Sequence, residues 1–386
     1  MFNGVFNRRK VVSVAALALL AGCKVIPKSG PEAPQPPPTT APTPDTLPTD
    51  TERHRVALLV PMSGANAAVG QSIANGATMA LLDTNAQNLR VTTYDTSSGA
   101  AAAADKAIAD GNKLILGPLL SDNIPAIVAR ARPAGVPVIS FSNDASAAAR
   151  DVFIMGSLPS QSVERVVEYA RGQGVTSFAA LVPRGEYGER ASSALMSAAK
   201  ARGGRVVAME AYDRSNTSVT SAAQRLRTKG GYQAVLIADG GRIAARAAAP
   251  LTEGNPDTTR ILGTELWSGE SVVTSSPALN GAWFAAVADT RFRQFSSSYK
   301  SRFGGQPYRI ATLGYDAVLL TLRVAREWRV GREFPSARML DKGGFIGLDG
   351  AFRFNGSGAI ERALEVREVR TGGVNVVSPA PTRFAD

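Results

Sequence analysis

Several polar residues stand directly after short apolar stretches, where a small molecule could be bound. Ser121 follows the apolar pair 119–120, and Ser140, Ser142 and Asn143 follow the apolar run 136–139. Serine hydroxyls, an asparagine amide and the backbone N–H groups of a helix start can all hydrogen-bond a carboxylate. These residue types predict non-covalent binding of an anion, although the same residues also occur as helix caps and strand ends that bind nothing.

The composition argues against the common catalytic and metal sites. The chain contains 1 cysteine and 1 histidine, Cys23 and His54, which leaves too few ligands for a Cys/His zinc site and a single imidazole for any triad. A Ser-Asp-Asn triplet at 121–123 and a Ser-x-x-Lys motif at 197–200 match elements of penicillin-binding enzymes, but their order is reversed and Lys-Thr-Gly is absent. Glycine-rich phosphate loops are also absent. The sequence thus predicts a protein that is not an enzyme and that uses no metal or cofactor.

The elements that must position these polar residues form a strand, a helix and a second strand. Residues 114–116 are apolar and end at Gly117-Pro118, and Ser121 can cap a helix whose apolar positions recur at helical spacing. Residues 136–139 then form a continuous apolar run, which suits a strand buried on both faces of a parallel sheet. Open parallel sheets bind ligands beyond the carboxyl ends of their strands, where Ser121 and residues 140–143 stand.

The same alternation of strands and helices continues from Arg55 to Val377. A chain of 386 residues is long enough for two domains, each with its own core. We therefore expect an α/β protein with two doubly wound, parallel sheets.

Four short motifs, considered together with their order along the chain, resemble one family. These are Gly-Pro-Leu-Leu-Ser at 117–121 followed by Gly-Val-Pro-Val-Ile-Ser at 135–140, Val-Ala-Leu-Leu-Val-Pro-Met-Ser-Gly at 56–64, Tyr-Gly-Glu at 187–189 and Gly-Thr-Glu at 263–265. They are similar to segments of the type I periplasmic binding proteins, which include the leucine/isoleucine/valine-binding proteins. The resemblance implies two lobes joined by three crossovers. It divides the chain into residues 55–158 plus 288–331 in the first lobe and residues 159–287 plus 332–386 in the second.

The same resemblance implies a ligand site in the cleft between the lobes. Glu265 would accept the ammonium group of an amino acid, while Ser121 and residues 140–143 would hold its carboxylate. Asp144 departs from the family pattern, because a threonine often stands there and an anion would repel a bound carboxylate. The complete set of candidate cleft residues is Ser63, Ser121, Ser140, Ser142, Asn143, Tyr187, Asp239 and Glu265.

The amino-terminal segment has the pattern of an exported lipoprotein. Residues 1–22 combine Arg8, Arg9 and Lys10 with a short apolar run, and the Leu-Ala-Gly-Cys sequence that ends at Cys23 resembles a lipobox. Cys23 would then carry the lipid, with an ordinary signal peptide as the alternative. Lys24 favours the periplasmic face of the outer membrane by resemblance to known sorting signals. Residues 23–54 are rich in proline and predict a disordered linker.

Two functions remain open at this point. Lipid anchor, proline-rich tether and binding-protein domain together resemble the penicillin-binding protein activators, which stimulate a peptidoglycan synthase, and residues 344–369 resemble the tail of that group. The alternative is a lipoprotein that delivers an amino acid or a similar solute to an ABC transporter. Because an outer-membrane anchor would hinder delivery to the inner membrane, the sequence modestly favours the activator hypothesis. The net charge of +11 does not imply nucleic acid in an exported protein, and the only predicted membrane contact is the lipid anchor.

Overall fold

The computed structural model describes residues 52–214, 218–253, 259–382 and 384. The predicted signal peptide, Cys23 and nearly all of the predicted linker lie outside the described residues. The linker also ends earlier than expected, because His54 begins the first strand, is buried and stacks on Trp328 with ring centroids 4.1 Å apart.

The described residues form an alternating series of strands and helices. The strands are β1 (His54–Val60), β2 (Leu89–Asp95), β3 (Ile115–Leu116), β4 (Val138–Ser140), β5 (Val152–Ile154), β6 (Ser177–Pro183), β7 (Arg205–Tyr212), β8 (Ala234–Ile237), β9 (Arg260–Gly263), β10 (Trp283–Ala286), β11 (Phe345–Gly347), β12 (Gly350–Phe354), β13 (Ile360–Arg362), β14 (Glu365–Arg370) and β15 (Gly373–Ser378). The helices are α1 (Ala67–Asp83), α2 (Ala100–Ala109), α3 (Ile124–Ala131), α4 (Pro159–Gly172), α5 (Glu186–Ala201), α6 (Ser218–Lys229), α7 (Gly241–Thr252), α8 (Ser271–Ser275), α9 (Thr290–Phe303) and α10 (Ala311–Ala325).

The first lobe is built on a parallel sheet with the strand order β2-β1-β3-β4-β5. Strand β1 pairs with β2 and β3, and its residues 56–60 are entirely buried because helices cover both faces of the sheet. Continuous burial of this kind explains why the strand sequence is apolar throughout instead of alternating. The carboxyl ends of β1, β3 and β4 all lie at one edge of the sheet.

The second lobe is built on a mixed sheet with the strand order β15-β14-β10-β9-β8-β6-β7. Strands β6 to β10 are parallel to one another, whereas β14 and β15 are antiparallel additions. Helices α4 and α5 pack on one face, and α6 and α7 pack on the other. The predicted α/β architecture of two doubly wound lobes is confirmed.

A small antiparallel sheet of β11, β12 and β13 extends the first lobe, which differs from the predicted lobe division. Phe352 and Phe354 of β12 are buried in the first core, where both rings contact other aromatic residues. The amide of Ile154 donates to the carbonyl of Gly358 at 2.9 Å, so this segment covers the edge of β5. Residues 345–362 therefore lie in the first lobe and not in the second.

The chain crosses between the lobes after β5, after β10 and after β13, and hydrogen bonds join these crossovers to one another. The side chain of Arg362 donates to the carbonyl of Met155 at 2.9 Å, and Arg367 donates to the carbonyl of Val287 at 2.5 Å. The third crossover thus lies near residues 363–364 instead of 331–335. Three hydrogen-bonded crossovers form the hinge at the base of the cleft.

Candidate functional site

A cavity of about 780 Å³ lies between the two lobes, beyond the carboxyl ends of parallel strands from both sheets. Its size is within the range of about 300 to 1,000 Å³ that is usual for small-molecule sites. The lining combines apolar side chains with a nearly equal number of polar and charged side chains. The lining residues are Leu119, Leu120, Phe141, Asn143, Ser157, Leu158, Gln161, Ser162, Glu265, Leu266, Ser268, Glu270, Ala286, Val287, Pro307, Tyr308, Arg309, Ile310, Thr312, Leu313, Asp349, Arg362 and Leu364.

Two helix starts and several strand ends supply this lining. Residues 157–162 include the first turn of α4, and residues 309–313 include the first turn of α10. Leu119 and Leu120 follow β3, and Phe141 follows β4, on the first-lobe side. Because a helix amino terminus carries partial positive charge and unpaired N–H groups, two such termini make the cavity favourable for a negatively charged ligand group.

Glu265 and Asn143 are the two predicted site residues that line the cavity. Glu265 follows β9, and its carboxylate accepts hydrogen bonds from the hydroxyl groups of Ser162 and Tyr187, the latter at 3.0 Å. Burial raises the pKa of Glu265, whereas these two hydrogen bonds act in the opposite direction. The Oδ1 atom of Asn143 accepts from Arg190 at 3.1 Å. Because Ser162 and Tyr187 donate to different oxygens of Glu265, both of its carboxylate oxygens already accept a hydrogen bond from the protein.

The predicted serines lie outside the cavity lining. Ser63 is exposed and donates to Asp95 at 2.8 Å, and Ser121 is half-buried with a contact of 3.4 Å to its neighbour Asp122. Ser140 is fully buried and donates to the carbonyl of Pro118 at 3.0 Å. The hydroxyl of Ser142 accepts from the amide of Asp144 at 3.1 Å. These hydroxyls bond nearby residues, so the structure does not bring them together with Glu265.

Tyr187 and Asp239 do not line the cavity and take part in two separate sets of hydrogen bonds. The Tyr187 hydroxyl contacts Thr264 and Glu265, each at 3.0 Å, and burial with the nearby Glu265 charge raises the pKa of Tyr187. Asp239 accepts from Tyr212 at 2.6 Å and from Arg214 at 2.8 Å. Of the two residues, Tyr187 supports Glu265 directly through its hydrogen bond.

Asp144 is not the isolated anion that the sequence suggested. Arg190 of α5 lies 3.0 Å from its carboxylate and also pairs with Glu186 at 2.8 Å. Arg190 belongs to the second lobe, whereas Asn143 and Asp144 belong to the first. The expected repulsion of a ligand is thus replaced by an ion pair between the lobes.

Sequence reasoning missed the charged wall of the cavity on the first-lobe side. Arg309 precedes α10, Asp349 lies between β11 and β12, and Arg362 ends β13. Arg309 and Asp349 lie 2.8 Å apart, and the Thr312 hydroxyl donates to Asp349 at 2.8 Å. Glu265 was predicted through the family resemblance, which assigned no ligand contact to these three residues, and none of them follows a parallel strand. Asp349 and Arg362 are nevertheless buried charges, which is an unusual combination.

Asp316 of α10 is buried directly behind this wall. It accepts from the amides of Leu348 and Asp349 at 2.7 and 3.3 Å. Burial and the Asp349 carboxylate raise the pKa of Asp316 to about 7, against the effect of these amides and of Arg362. The charge behind the wall can therefore change near neutral pH.

The fold and the cleft define a bilobed binding protein, and comparison with known proteins agrees. The family described as Periplasmic binding protein matches residues 54–373, so the chain belongs to that family, and membership implies a periplasmic location. An uncharacterized protein of Rickettsia prowazekii is 28% identical over 114 residues, and the match spans 30% of each chain.

Solved structures share the fold at low sequence identity. A candidate branched-chain amino acid ABC transporter of Rhodospirillum rubrum has a TM-score of 0.74 and 22% identity, covering 84% of this chain and 100% of that one. An R. palustris solute-binding protein in complex with benzoate has a TM-score of 0.64 and 20% identity, covering 86% of this chain and 98% of that one. A branched-chain amino acid binding protein of Streptococcus pneumoniae in complex with isoleucine has a TM-score of 0.62 and 19% identity. The match covers 85% of this chain and 100% of that one. At this identity the likeness shows the fold alone.

The described part of the chain contains neither a candidate membrane span nor a candidate metal site. No helix in it is both long and apolar enough to cross a bilayer. No group of three or more His, Cys, Asp or Glu side chains in it is arranged to hold a metal ion.

Proposed function

We propose that this chain is a non-catalytic solute-binding protein that holds one small organic molecule between its lobes. The observation that carries the proposal is the cavity of about 780 Å³ at the carboxyl ends of both sheets. Apolar atoms form most of its surface, and polar side chains converge on it from both lobes. Such a cavity buries most of a ligand and orients it through a few polar contacts.

The relatives support a ligand of this size. One solved relative holds isoleucine and another holds benzoate, which are both small organic acids with an apolar body. The apolar wall of Leu119, Phe141 and Leu158 suits such a body. Delivery to an ABC transporter is the role that follows from this binding.

Calorimetry on the purified chain tests the binding function. The panel should contain amino acids, organic acids, their amides and amines, and we expect a saturable heat with at least one of them. Leu120→Trp should weaken that binding at least about fivefold, because the indole ring is larger than the leucine side chain and would fill part of the cavity. Leu340→Trp is a matched control, since Leu120 and Leu340 are 40% and 42% exposed and only Leu120 lines the cavity. Absence of heat with every class of compound would contradict the proposal.

A second candidate function is activation of a peptidoglycan synthase from a lipid anchor on the outer membrane. The proline-rich composition of residues 23–54 favours it, since polyproline conformation extends about 3.1 Å per residue. Cys23 would carry the lipid. In this role the cavity would be secondary, and a partner penicillin-binding protein would be the main contact.

Shortening the tether separates this candidate from solute delivery near the anchor. Deleting residues 31–48 would remove roughly 55 Å of reach in polyproline form. Envelope function should be lost on deletion and restored by an unrelated proline-rich segment of equal length, with lipidation measured as a control. Normal growth and cell shape with the deletion would remove the support for a partner across the periplasm.

A further inference from the structure

The cavity wall on the first-lobe side carries a charged group that the family resemblance did not assign. Arg309, Asp349 and Arg362 contribute to this wall from the start of α10 and from the small antiparallel sheet. Two guanidinium groups and one carboxylate give it a net positive charge when Asp316 behind it is protonated. The opposite wall carries Glu265.

Arg362 is the member of this group with hydrogen-bonding capacity to spare. Its side chain is 8% exposed, and one of its terminal nitrogens, Nη2, donates to the carbonyl of Met155 at 2.9 Å. Its Nε and Nη1 atoms are buried and have no hydrogen-bond acceptor among the described residues. A buried charged donor without an acceptor is costly, and a ligand carboxylate would remove that cost.

Arg309 adds a second cation beside Arg362. Its guanidinium lies over the Phe292 ring at 4.1 Å and pairs with Asp349 at 2.8 Å, but Nη1 and Nη2 make no directed hydrogen bond to any described residue. Asp349, together with Asp289 at 3.9 Å, holds Arg309 in place, although neither carboxylate accepts a well-directed hydrogen bond from it. A planar guanidinium is well suited to a carboxylate.

The start of α10 adds to the attraction. Ile310, Thr312 and Leu313 line the cavity at the first turn of this 15-residue helix, so its positive end faces the same space as Arg309. The first turn of α4 lies on the other side of the cavity and meets Glu265 through Ser162. Positive charge thus concentrates toward the first lobe.

We propose that Arg362, assisted by Arg309, binds the carboxylate of an organic acid in this cavity. The apolar body of the ligand lies against Leu119, Phe141 and Leu158, which share the cavity with the two arginines. This assignment rests on the proposed solute-binding function and names its ligand class. It differs from the expectation from the family resemblance, in which Ser121 and residues 140–143 hold the carboxylate.

Matched pairs of acids and amides test the assignment on the purified chain. The probes are 4-methylpentanoate with 4-methylpentanamide and benzoate with benzamide, measured by calorimetry. Each pair has nearly the same shape and differs in charge, so the ratio of the two affinities reports the carboxylate contact. We expect at least one acid to bind at least about tenfold more tightly than its amide, as a charge-assisted hydrogen bond implies.

Two arginine variants test whether the preference for acids over amides depends on the charged wall of the cavity. Arg362→Gln and Arg309→Gln should each weaken acid binding and leave amide binding nearly unchanged, which loss of fold would not do. Arg338→Gln is the matched control, because Arg338 is an exposed first-lobe arginine paired with Glu327. Ser121→Ala should leave the acid preference intact.

The outcomes separate the two proposals. If amides or amines bind as tightly as acids, or if both arginine variants keep the wild-type acid preference, the carboxylate subsite is overturned while solute binding stands. If none of the acids, amides and amines binds, the proposed function itself fails.

Discussion

At the residue scale, the main result is that buried charges, and not strand-end serines, form the polar wall of the cavity. Glu265 was predictable because the family resemblance places it in the cleft, beyond the end of a parallel strand where such folds bind ligands. Arg309 and Arg362 were not predictable in this way. Arg309 precedes a helix, and Arg362 ends a short antiparallel strand that the sequence analysis assigned to the second lobe instead of the first. Apolar residues at 359–360 and 363–364 flank Glu361 and Arg362, which was a signal of burial but not of function.

Asp316 allows a test of this buried charge through stability. Its raised pKa means that the folded chain keeps a proton between about pH 4 and 7 that the unfolded chain has released. The free energy of unfolding should therefore fall as pH rises through this range, by up to about 1.4 kcal/mol per pH unit. Asp316→Asn should lessen that dependence in urea unfolding between pH 5 and 8.

Asp105→Asn is the control for Asp316, because Asp105 is a first-lobe carboxylate whose side chain is 55% exposed. It should keep the wild-type pH dependence. Burial also raises the pKa of Glu265, so Glu265 too makes the free energy of unfolding fall as pH rises. This contribution remains in both Asp316→Asn and Asp105→Asn. Equal slopes for wild type and Asp316→Asn would mean that Asp316 titrates normally.

At the element scale, the alternation of strands and helices was predictable because each element has its own apolar period. The lobe assignment of β11 to β13 was not. The apolar residues within 345–354 could pack in either lobe. The decision comes from long-range packing of Phe352 and Phe354 in the first core. Local patterns cannot report which of two cores receives a strand.

Close packing of α1 against α10 gives a second prediction. A Cβ atom added at Gly76 would lie 2.3 Å from the carbonyl oxygen of Ala311, and one at Gly314 would lie 2.2 Å from that of Ile73. Gly76→Ala should therefore force the helices apart and lower the free energy of unfolding by roughly 1 to 3 kcal/mol. Thermal and urea unfolding measure the change.

Gly172→Ala is the matched helical control, because a Cβ atom there would meet nothing within 4 Å. It should be neutral or slightly stabilising, as alanine favours helix. A similar loss in both variants would mean that the close contact between α1 and α10 does not determine the result.

At the scale of the whole molecule, the two lobes contact each other at the crossovers and also at the rim of the cleft. Arg190 of α5 bonds Asn143 and Asp144 of the first lobe at 3.1 and 3.0 Å. The sequence raised Asp144 only as an obstacle to a ligand, because Arg190 is distant in sequence and no local pattern pairs them. The pair holds the lobes together next to the site proposed for the ligand.

Breaking this pair should loosen the closed arrangement without unfolding either lobe. The Arg190 and Asp144 side chains are 26% and 20% exposed, so their attraction is partly protected from solvent and from salt. In Arg190→Gln we expect backbone amides at 141–146 and 157–162 to exchange hydrogen about three- to tenfold faster, corresponding to a loss of roughly 1 kcal/mol. Asp144→Asn should have the same effect, and combining the two should add little.

Arg225→Gln provides the comparison that isolates the position of the pair. Arg225 bonds Glu210 at 2.9 Å, a distance close to that of the Arg190 pair, but both residues belong to the second lobe. Its loss removes an ion pair within one lobe, so exchange at the cleft should stay at the wild-type rate. If Arg225→Gln accelerates the cleft amides as much as Arg190→Gln, general destabilisation explains the effect. If neither variant changes them, the crossovers alone hold the lobes closed and the rim contact has no part in closure.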